Sequence, residues 1–158
     1  VELLSDKGLQ RMSLLQLQND SSHGLGSSSI LTKILVKTML PNVLWGYYKL
    51  KNSAGAYGSA NAAAVIQMDG EKIKSIRIVI GAVSEKSVVI SKALDGYLGG
   101  AYTLEIGRAI EKVCIDAIDE PLSDQQGDGV WRKAMAGIAA RRATEMALSN
   151  LTTSSIKR

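Results

Sequence analysis

Cysteine, proline and aromatic residues are all scarce in this 158-residue chain. The one cysteine, Cys114, excludes an internal disulfide framework and any iron–sulfur or metal site built from several thiolates, and it fits a reducing compartment such as the cytoplasm. Aromatics make up 4% of the residues and none is phenylalanine, so the core has to be aliphatic. No apolar run reaches about 18 residues, which predicts no membrane-spanning helix.

Hydrophobic residues make up 46% of the chain and charged residues 22%, a composition typical of a packed globular protein. The net charge is +4, but the basic residues are scattered rather than clustered among aromatics. This pattern favours a solvated basic surface over nucleic-acid binding. The first residues have neither a basic region nor an apolar region typical of a signal peptide. The chain also begins without Met and in the middle of a strand-like pattern, which favours a fragment or a processed chain.

The first 41 residues predict short strands. Val1–Leu4 and a return strand over Leu9–Leu14 are separated by a polar turn. A Ser- and Gly-rich loop follows, and its single histidine, His23, is predicted to be solvated rather than a ligand. Ile30–Leu40 has apolar residues at both odd and even positions, which predicts a strand covered on both faces. Pro41 ends it and marks a domain boundary.

The next forty residues predict a β-hairpin with an unusual lead-in. Trp45–Lys51 is aromatic and basic, and residues 52–59 are rich in Gly, Ala and Ser, so another backbone or a ligand could approach closely. They contain no phosphate-loop pattern. Ala62–Met68 and Ile73–Ile80 read as strands joined by a turn at Asp69-Gly70. Three side chains of the second strand point to one face, which must be covered: Ile76, Ile78 and Ile80.

The cover is predicted to be helical. A short strand or an extended piece around Ser87–Val89 precedes a helix over Ile90–Leu98, and Thr103 caps a second helix. The apolar stripe of the second helix includes Cys114, which is therefore predicted to be a buried thiol rather than a nucleophile. A third helix covers 130–150. Its predicted inner stripe is Trp131, Ala134, Met135, Ile138 and Ala139, and its predicted wet side is Arg132, Arg141, Arg142 and Glu145.

The predicted fold is therefore α+β, with a small antiparallel sheet of about three strands packed against a three-helix layer. The residues alone offer no paired carboxylates, no metal-spaced His/Cys set and no Ser–His–Asp arrangement. The composition and spacing therefore leave the function open.

An ordered series of short motifs carries a family resemblance from about Trp45 to Ser149. The motifs are Tyr48-Lys49-Leu50-Lys51, Gly55-Ala56-Tyr57, Ile76-Arg77-Ile78-Val79-Ile80-Gly81-Ala82-Val83, Gly129-Val130-Trp131-Arg132-Lys133 and Arg141-Arg142-Ala143. Together they resemble the C-terminal domain of the FAD-binding medium subunit of the molybdenum hydroxylases, the carbon monoxide dehydrogenase and xanthine dehydrogenase class. Residues 1–41 resemble the terminal strands of the preceding FAD-binding domain, and 42–158 the C-terminal domain.

The resemblance implies a place in an electron-transfer enzyme. Electrons would pass from a molybdenum cofactor in a large partner subunit, through iron–sulfur clusters in a small one, to FAD and then an external acceptor. This domain would close over FAD and help to dock those subunits, while domains absent here hold most of the cofactor. Lys49 matches a family lysine that contacts FAD, and Leu31 matches an FAD-contacting leucine.

The chain also departs from the family pattern. Asn52 stands where the family has arginine, Ala56 where it has aspartate, Ala82 in place of the second glycine of a Gly-Gly-Val motif, and Trp131 in place of a tyrosine. Two functions therefore remain open. One is part of a flavoprotein subunit of an oxidoreductase. The alternative is a non-catalytic α+β protein-interaction module that keeps the fold but binds no cofactor.

Overall fold

The structure is a computed structural model that describes residues 1–20, 28–40 and 42–155, so His23 and Pro41 lie outside the described residues. The side chains of residues 19, 20 and 150–155 are likewise not described. In chain order the elements are β1 (Glu2–Ser5), β2 (Gly8–Arg11), α1 (Leu14–Asp20), β3 (Ile30–Lys33), β4 (Val43–Leu50), β5 (Ala60–Asp69), β6 (Lys72–Gly81), β7 (Val88–Ile90), a 3₁₀ helix (Lys92–Tyr97), α2 (Leu104–Asp116) and α3 (Gly129–Ser155).

The chain divides into two compact units, Val1–Met39 and Leu40–Arg158. The first unit contains an antiparallel sheet in the order β2-β1-β3. Its central strand carries Glu2, whose carboxylate is buried between Arg11 and Lys33 at 3.0 and 3.2 Å. These two cations lower the pKa of Glu2. The predicted hairpin is confirmed, although its return strand ends at Arg11.

The strand predicted over Ile30–Leu40 is wrong in both length and burial. Regular pairing stops at Lys33, and every residue from 30 to 40 is exposed, including Ile34 and Val36 at 71% and 85%. Strand β3 hydrogen-bonds to β1 alone and lies at the edge of its sheet. Apolar residues at both parities indicate two covering layers, and the described part of the unit supplies neither.

The second unit is built on a four-stranded antiparallel sheet in the order β4-β5-β6-β7. The predicted hairpin is its centre, with Asp69 paired to Lys72 across a two-residue loop. Gly70 has φ +60° at the first loop position, where type II′ turns place glycine. Buried and exposed residues alternate along β5 and β6, as the sequence predicts. With the outer strands β4 and β7, the sheet has four strands, whereas about three were predicted.

Helices cover one face of this sheet, which confirms the α+β class. The predicted helix over Ile90–Leu98 is only a short 3₁₀ helix, which ends before Gly99 at φ +82°. Thr103 caps α2 as predicted, because its hydroxyl accepts a hydrogen bond from the Ile106 N–H at 3.2 Å. Helix α3 lies on β4 and β5, and α2 packs against α3. None of the helices in the described chain is long and apolar enough to cross a bilayer.

The core between sheet and helices is aliphatic, as the scarcity of aromatics requires. Isoleucines fill it from the sheet, and small residues line it from α3: Ala136, Ala139, Ala140, Ala143 and Ala147. This alanine stripe lets α3 approach the sheet closely. At Gly46 of β4, an added Cβ would lie 2.6 Å from the backbone nitrogen of Ala147 and even closer to the carbonyl oxygen of Ala143. Gly46 therefore sets the distance between helix and strand.

The predicted faces of α3 need correction. Ala139 is buried as predicted, but Trp131, Ala134, Met135 and Ile138 are only partly buried. Arg132, which was placed on the wet side, is 3% exposed. Its burial is compensated because each nitrogen of its guanidinium has an acceptor within the fold. Nη1 donates to the Ala82 carbonyl at 2.7 Å, Nε donates to the Gly127 carbonyl at 3.3 Å, and Nη2 pairs with Asp124.

Arg132 thereby ties the end of β6 to the loop before α3. The Leu122 N–H donates to the Val83 carbonyl at 2.8 Å and adds a second tie. A backbone hydrogen bond from Gln126, followed by the Arg132 contact, lowers the pKa of Asp124. Ala82 at this junction has φ +66°, the only positive value among the described non-glycine residues. Glycine adopts a positive φ without a steric penalty, which explains why the family's Gly-Gly-Val motif has glycine at the position of Ala82.

The close approach at Gly46 predicts a large effect of one methyl group. Gly46→Ala would drive a Cβ into the α3 backbone, which cannot move away as a side chain could, and we expect a loss of ~3 kcal/mol or more in unfolding free energy. Urea denaturation followed by circular dichroism measures it. Gly96→Ala is the control, because a Cβ there meets nothing within 4 Å. Equal stabilities of the two variants would contradict the packing described here.

The positive φ at Ala82 predicts that replacing this residue by glycine stabilises the folded protein. The left-handed conformation costs an L-residue roughly 1–2 kcal/mol, while the freer unfolded chain of a glycine variant costs about 0.4–1 kcal/mol. Ala82→Gly should therefore raise the unfolding free energy by about 0.5–1 kcal/mol. Ala54→Gly, in an exposed turn without a positive φ, should lower it or leave it unchanged. A destabilised Ala82→Gly protein would show that no strain is stored there.

Candidate functional site

Lys49 lies near the end of β4 on the sheet face opposite the helices, and it is exposed. It stands beside Asn61 of β5, which in turn pairs with Gly81 of β6. Its aliphatic stem passes over Gly58. A Cβ on Gly58 would lie 3.2 Å from Lys49 Cγ and 3.3 Å from Cε. The stem is thus supported by a glycine surface, and the amine makes no ion pair with any residue that the structure describes.

The loop that supports this lysine is the Gly-, Ala- and Ser-rich segment between β4 and β5. It turns through Gly55 at φ +84°, and the Ser59 N–H donates to the Leu50 carbonyl at 3.0 Å to close it. Tyr57 projects from this loop and is 84% exposed, next in sequence to the glycine under Lys49. Asn52, where the family that the sequence resembles has arginine, is exposed. The loop therefore exposes an aromatic ring one residue away from the glycine that lies under the Lys49 stem.

Three rows of side chains make up the centre of the helix-free face, which we call the open face. The first row is Trp45, Val65 and Arg77, the second is Tyr47, Ala63, Val79 and Val89, and the third is Lys49, Asn61 and Gly81. Trp45 and Tyr47 are 57% and 47% exposed. Because side chains alternate along a strand, these rows follow directly from the burial of the intervening residues against the helices.

Leu31, the second residue implied to contact FAD, belongs to the first unit. It lies on β3 opposite Leu3 of β1 and is 36% exposed. Lys49 belongs to the second unit, and each residue is described within its own unit. The roles of both residues at a flavin therefore stay predictions.

Other titratable side chains in the second unit serve the fold. Arg141 joins Glu111 and Glu145 at 2.9 and 2.8 Å, and the Tyr102 hydroxyl contacts the same Glu145. Burial first, and then the charge of Glu145, raises the pKa of Tyr102 to about 12. Arg142 lies over the ring of Tyr48, 5.0 Å from its centroid. These contacts join helix to helix or helix to sheet on the covered side.

Cys114 is fully buried, as predicted, and burial raises its pKa to about 12. A thiolate, which nucleophilic or metal-binding chemistry needs, is thus strongly disfavoured. Within the described ranges, no group of three or more His, Cys, Asp or Glu side chains could hold a metal ion. The described residues therefore expose Lys49 together with the aromatic side chains of the open face, while the acidic residues and Cys114 among them form no metal or thiolate site.

The role of Lys49 is a prediction from the family resemblance, and the surface around it was not predicted. A signal for that surface is present, since Trp45, Tyr47 and Lys49 alternate with residues that face the helices. The composition of the segment indicates only an aromatic, basic stretch, and its two faces become distinct once it is recognised as a strand. The support from Gly58 could not be predicted, because it depends on how the loop folds back.

A comparison with protein families gives one match, to the CO dehydrogenase flavoprotein C-terminal domain, over residues 45–147. Among curated proteins, the chain is similar to the carbon monoxide dehydrogenase medium chain of Hydrogenophaga pseudoflava, with 31% identity over 123 residues. That alignment covers 78% of this chain and 42% of the relative. The corresponding medium chain of Afipia carboxidovorans is 32% identical over 110 residues, 65% of this chain and 35% of that one.

Solved structures give the same picture. A carbon monoxide dehydrogenase from Hydrogenophaga pseudoflava that lacks the Mo-pyranopterin moiety of its molybdenum cofactor superposes with a TM-score of 0.77 at 27% identity, covering 94% of this chain and 52% of that one. Quinoline 2-oxidoreductase from Pseudomonas putida 86 gives 0.79 at 21% identity over 94% and 52%, a likeness of fold alone. The matched part of the chain spans less than half the length of the two curated medium chains, 42% of one and 35% of the other.

The burial of Cys114 predicts a thiol that does not react with reagents in the native protein. Because the pKa is raised to about 12 and the side chain is covered, DTNB should leave Cys114 unmodified under native conditions and react with it fully in urea. Val130→Cys supplies the control, since Val130 is 81% exposed at the start of α3 and should give one rapidly reacting thiol. Rapid native modification of Cys114 itself would contradict its place in the core.

Proposed function

The chain belongs to the family of CO dehydrogenase flavoprotein C-terminal domains, and on that basis we propose that it forms part of the FAD-binding medium subunit of a molybdenum-hydroxylase-type oxidoreductase. In this proposal, the domain closes over FAD and helps to dock the neighbouring subunits. The observation that carries it is the family match over 45–147, which includes Lys49 on an exposed strand end.

FAD accepts electrons at its isoalloxazine ring and passes them to an external acceptor. The residues present fit such a cofactor at the Lys49 end of the open face. A positive charge there would offset the charge of the flavin phosphates or of the reduced ring. The stem of Lys49 lies over Gly58, where any larger residue would crowd it, so the loop leaves room for this position of the amine. Tyr57 offers an aromatic ring beside it.

The remaining parts of the enzyme would lie outside this chain. Residues 1–41 would be the terminal strands of a preceding FAD-binding domain, with Leu31 as a further flavin contact. Most FAD contacts would come from that domain. A large subunit with the molybdenum cofactor and a small subunit with iron–sulfur clusters would be the partners, in the cytoplasm. The exposed apolar side chains of the first unit support such a continuation, because the described residues of that unit provide no layer over β3 and the residues after it.

The alternative is an interaction module that binds no cofactor. Two observations favour it: the family's charged pair is replaced by Asn52 and Ala56, and the open face exposes Trp45 and Tyr47 as a docking surface would. The two functions differ in one measurable property, the flavin content of the complete subunit. We prefer the flavoprotein, because the family that the chain matches over residues 45–147 is a flavoprotein domain family.

Replacing Lys49 tests the proposal directly. In the complete subunit, Lys49→Ala should lower FAD retention after gel filtration by about tenfold, the scale of one lost charge-assisted contact of about 1.4 kcal/mol. Lys49→Arg should retain more flavin than Lys49→Ala because it keeps the charge. Absorbance at 450 nm per subunit measures retention, and the rate of flavin reduction by substrate provides a second readout.

Lys112→Ala provides the matched control, since Lys112 is an exposed lysine on α2, on the helical side of the domain. Its flavin content should equal that of the unmodified subunit. Unchanged flavin retention and reduction in Lys49→Ala would remove Lys49 from the site. A complete subunit that never contains flavin would instead support the interaction module.

A further inference from the structure

One amide on the open face serves no contact within the described fold. Asn61 of β5 stands in the third row of that face, directly between Lys49 of β4 and Gly81 of β6. Its side chain is half-buried, and its carboxamide makes no hydrogen bond with any residue that the structure describes. Positions 60 and 62–64 are alanine, and asparagine is depleted in strands. Neither strand propensity nor a contact within the described chain therefore accounts for this residue.

A glycine leaves the space in which the carboxamide of Asn61 lies. A Cβ on Gly81 would be 2.7 Å from Asn61 Oδ1 and 3.5 Å from its Cγ and Nδ2, so any larger residue at position 81 would displace the amide. The stem of the neighbouring Lys49 lies over Gly58 in the same manner. The row therefore places an amine and an amide side by side, each over a glycine.

A second polar group at this end of the sheet also lacks a partner. Ser59, two residues before Asn61, is 1% exposed, and its hydroxyl has no hydrogen-bond partner among the described residues. A buried polar group without a partner is costly and calls for an explanation. The loop end of the sheet thus carries more hydrogen-bonding groups than the described fold uses, as a site for a polar ligand would.

An amide beside an amine suits one part of FAD better than another. The flavin phosphates offer hydrogen-bond acceptors, so the oxygen of an amide gains nothing beside them. The pyrimidine edge of the flavin ring instead carries an N3–H donor between two carbonyl acceptors. A carboxamide has one acceptor and one donor, and it can therefore bond to N3–H and to an adjacent carbonyl together. The pair of Lys49 and Asn61 fits the ring edge.

We propose that Asn61 is a further cofactor-binding residue, whose carboxamide hydrogen-bonds N3–H and an adjacent carbonyl of the flavin ring. Lys49 meets the same edge with its charge, and both donors stabilise the negative charge of the reduced ring. The inference rests on the proposed function, because it takes FAD as the cofactor. It goes further by adding a residue for which the family resemblance implies no role, and by choosing the ring over the phosphates as the part of FAD that this row contacts.

Removing the amide tests the contact. In the complete subunit, Asn61→Ala should retain about fivefold less FAD after gel filtration, the scale of one neutral hydrogen bond. Gln67→Ala is the matched control, because Gln67 carries the same amide on the same strand and face and is also half-buried. It lies roughly 20 Å further along β5, so the Gln67→Ala subunit should retain FAD as the unmodified subunit does.

A modified cofactor identifies the part of FAD that Asn61 contacts. In 3-methyl-FAD a methyl group replaces the N3 proton. Each apo-subunit is titrated with FAD and with 3-methyl-FAD, and binding is followed by the change in flavin fluorescence. The methyl group should weaken binding to the unmodified and Gln67→Ala subunits by about fivefold more than binding to Asn61→Ala. Equal penalties in all three subunits would overturn the contact with the ring edge.

Two further variants test the placement and the charge. Gly81→Ala should displace the amide and lower FAD retention as Asn61→Ala does, and the double variant should lose no more than either alone. Asn61→Asp places a negative charge beside the reduced ring, so the flavin midpoint potential should fall by about 30 mV for each tenfold loss of relative affinity for reduced FAD. Gln67→Glu should leave the potential unchanged. Full retention by Gly81→Ala, or an unchanged potential in Asn61→Asp, would overturn the inference.

The outcomes separate this inference from the proposed function. A complete subunit that never contains flavin would overturn both. Flavin retention that falls in Lys49→Ala and stays unchanged in Asn61→Ala would overturn the role of Asn61 and leave the flavoprotein intact. Because alanine already occupies the neighbouring positions of β5, Asn61→Ala should fold normally, and an unchanged midpoint of urea denaturation checks this.

Discussion

The contact of α3 with β4 at Gly46 determines what the rest of the second unit can do. The helix lies so close that its backbone meets the strand where Gly46 has no side chain, and the alanine stripe of α3 continues this close packing across the sheet. One face of the sheet is thereby sealed by helices. Because side chains alternate along a strand, the same contact fixes which residues remain on the open face. Lys49, Tyr47 and Trp45 are presented outward because Leu44 and Gly46 face inward.

The sequence alone predicted an element correctly where its capping and turn residues agree with its pattern of buried side chains. The hairpin of β5 and β6 has alternating apolar residues and a glycine at its turn, and α2 has a Thr103 cap and an apolar stripe, so both were predicted. Prediction failed where a distant contact decided the outcome. Arg132 looks like a surface residue by type, yet three acceptors from other segments bury it. No local pattern reveals that those acceptors converge on one position.

Two further predictions were wrong, the strand over residues 30–40 and the helix over Ile90–Leu98. Residues 30–40 have the composition of a strand that is covered on both faces. Composition shows which side chains would gain from burial, but it does not show whether the layers that would cover them are present. The helix predicted over Ile90–Leu98 forms only a short 3₁₀ helix, because it contains Gly96, a poor helix former, and because the glycine pair after Leu98 ends it. In the candidate site, Lys49 could be named from a family resemblance, whereas its support by Gly58 depends on a loop closure that no spacing encodes.

The open face and the covered core follow from the same strand geometry. Lys49 lies in the row next to Tyr47, and Tyr47 lies in the row next to Trp45 and Arg77, so these exposed side chains form one continuous surface. Neighbouring strands of a sheet are held about 4.7–4.9 Å apart, so the sheet fixes the relative positions of these side chains. The proposed contact of Lys49 with FAD needs such a fixed position, because a cofactor held by another domain would have to meet the amine at one place.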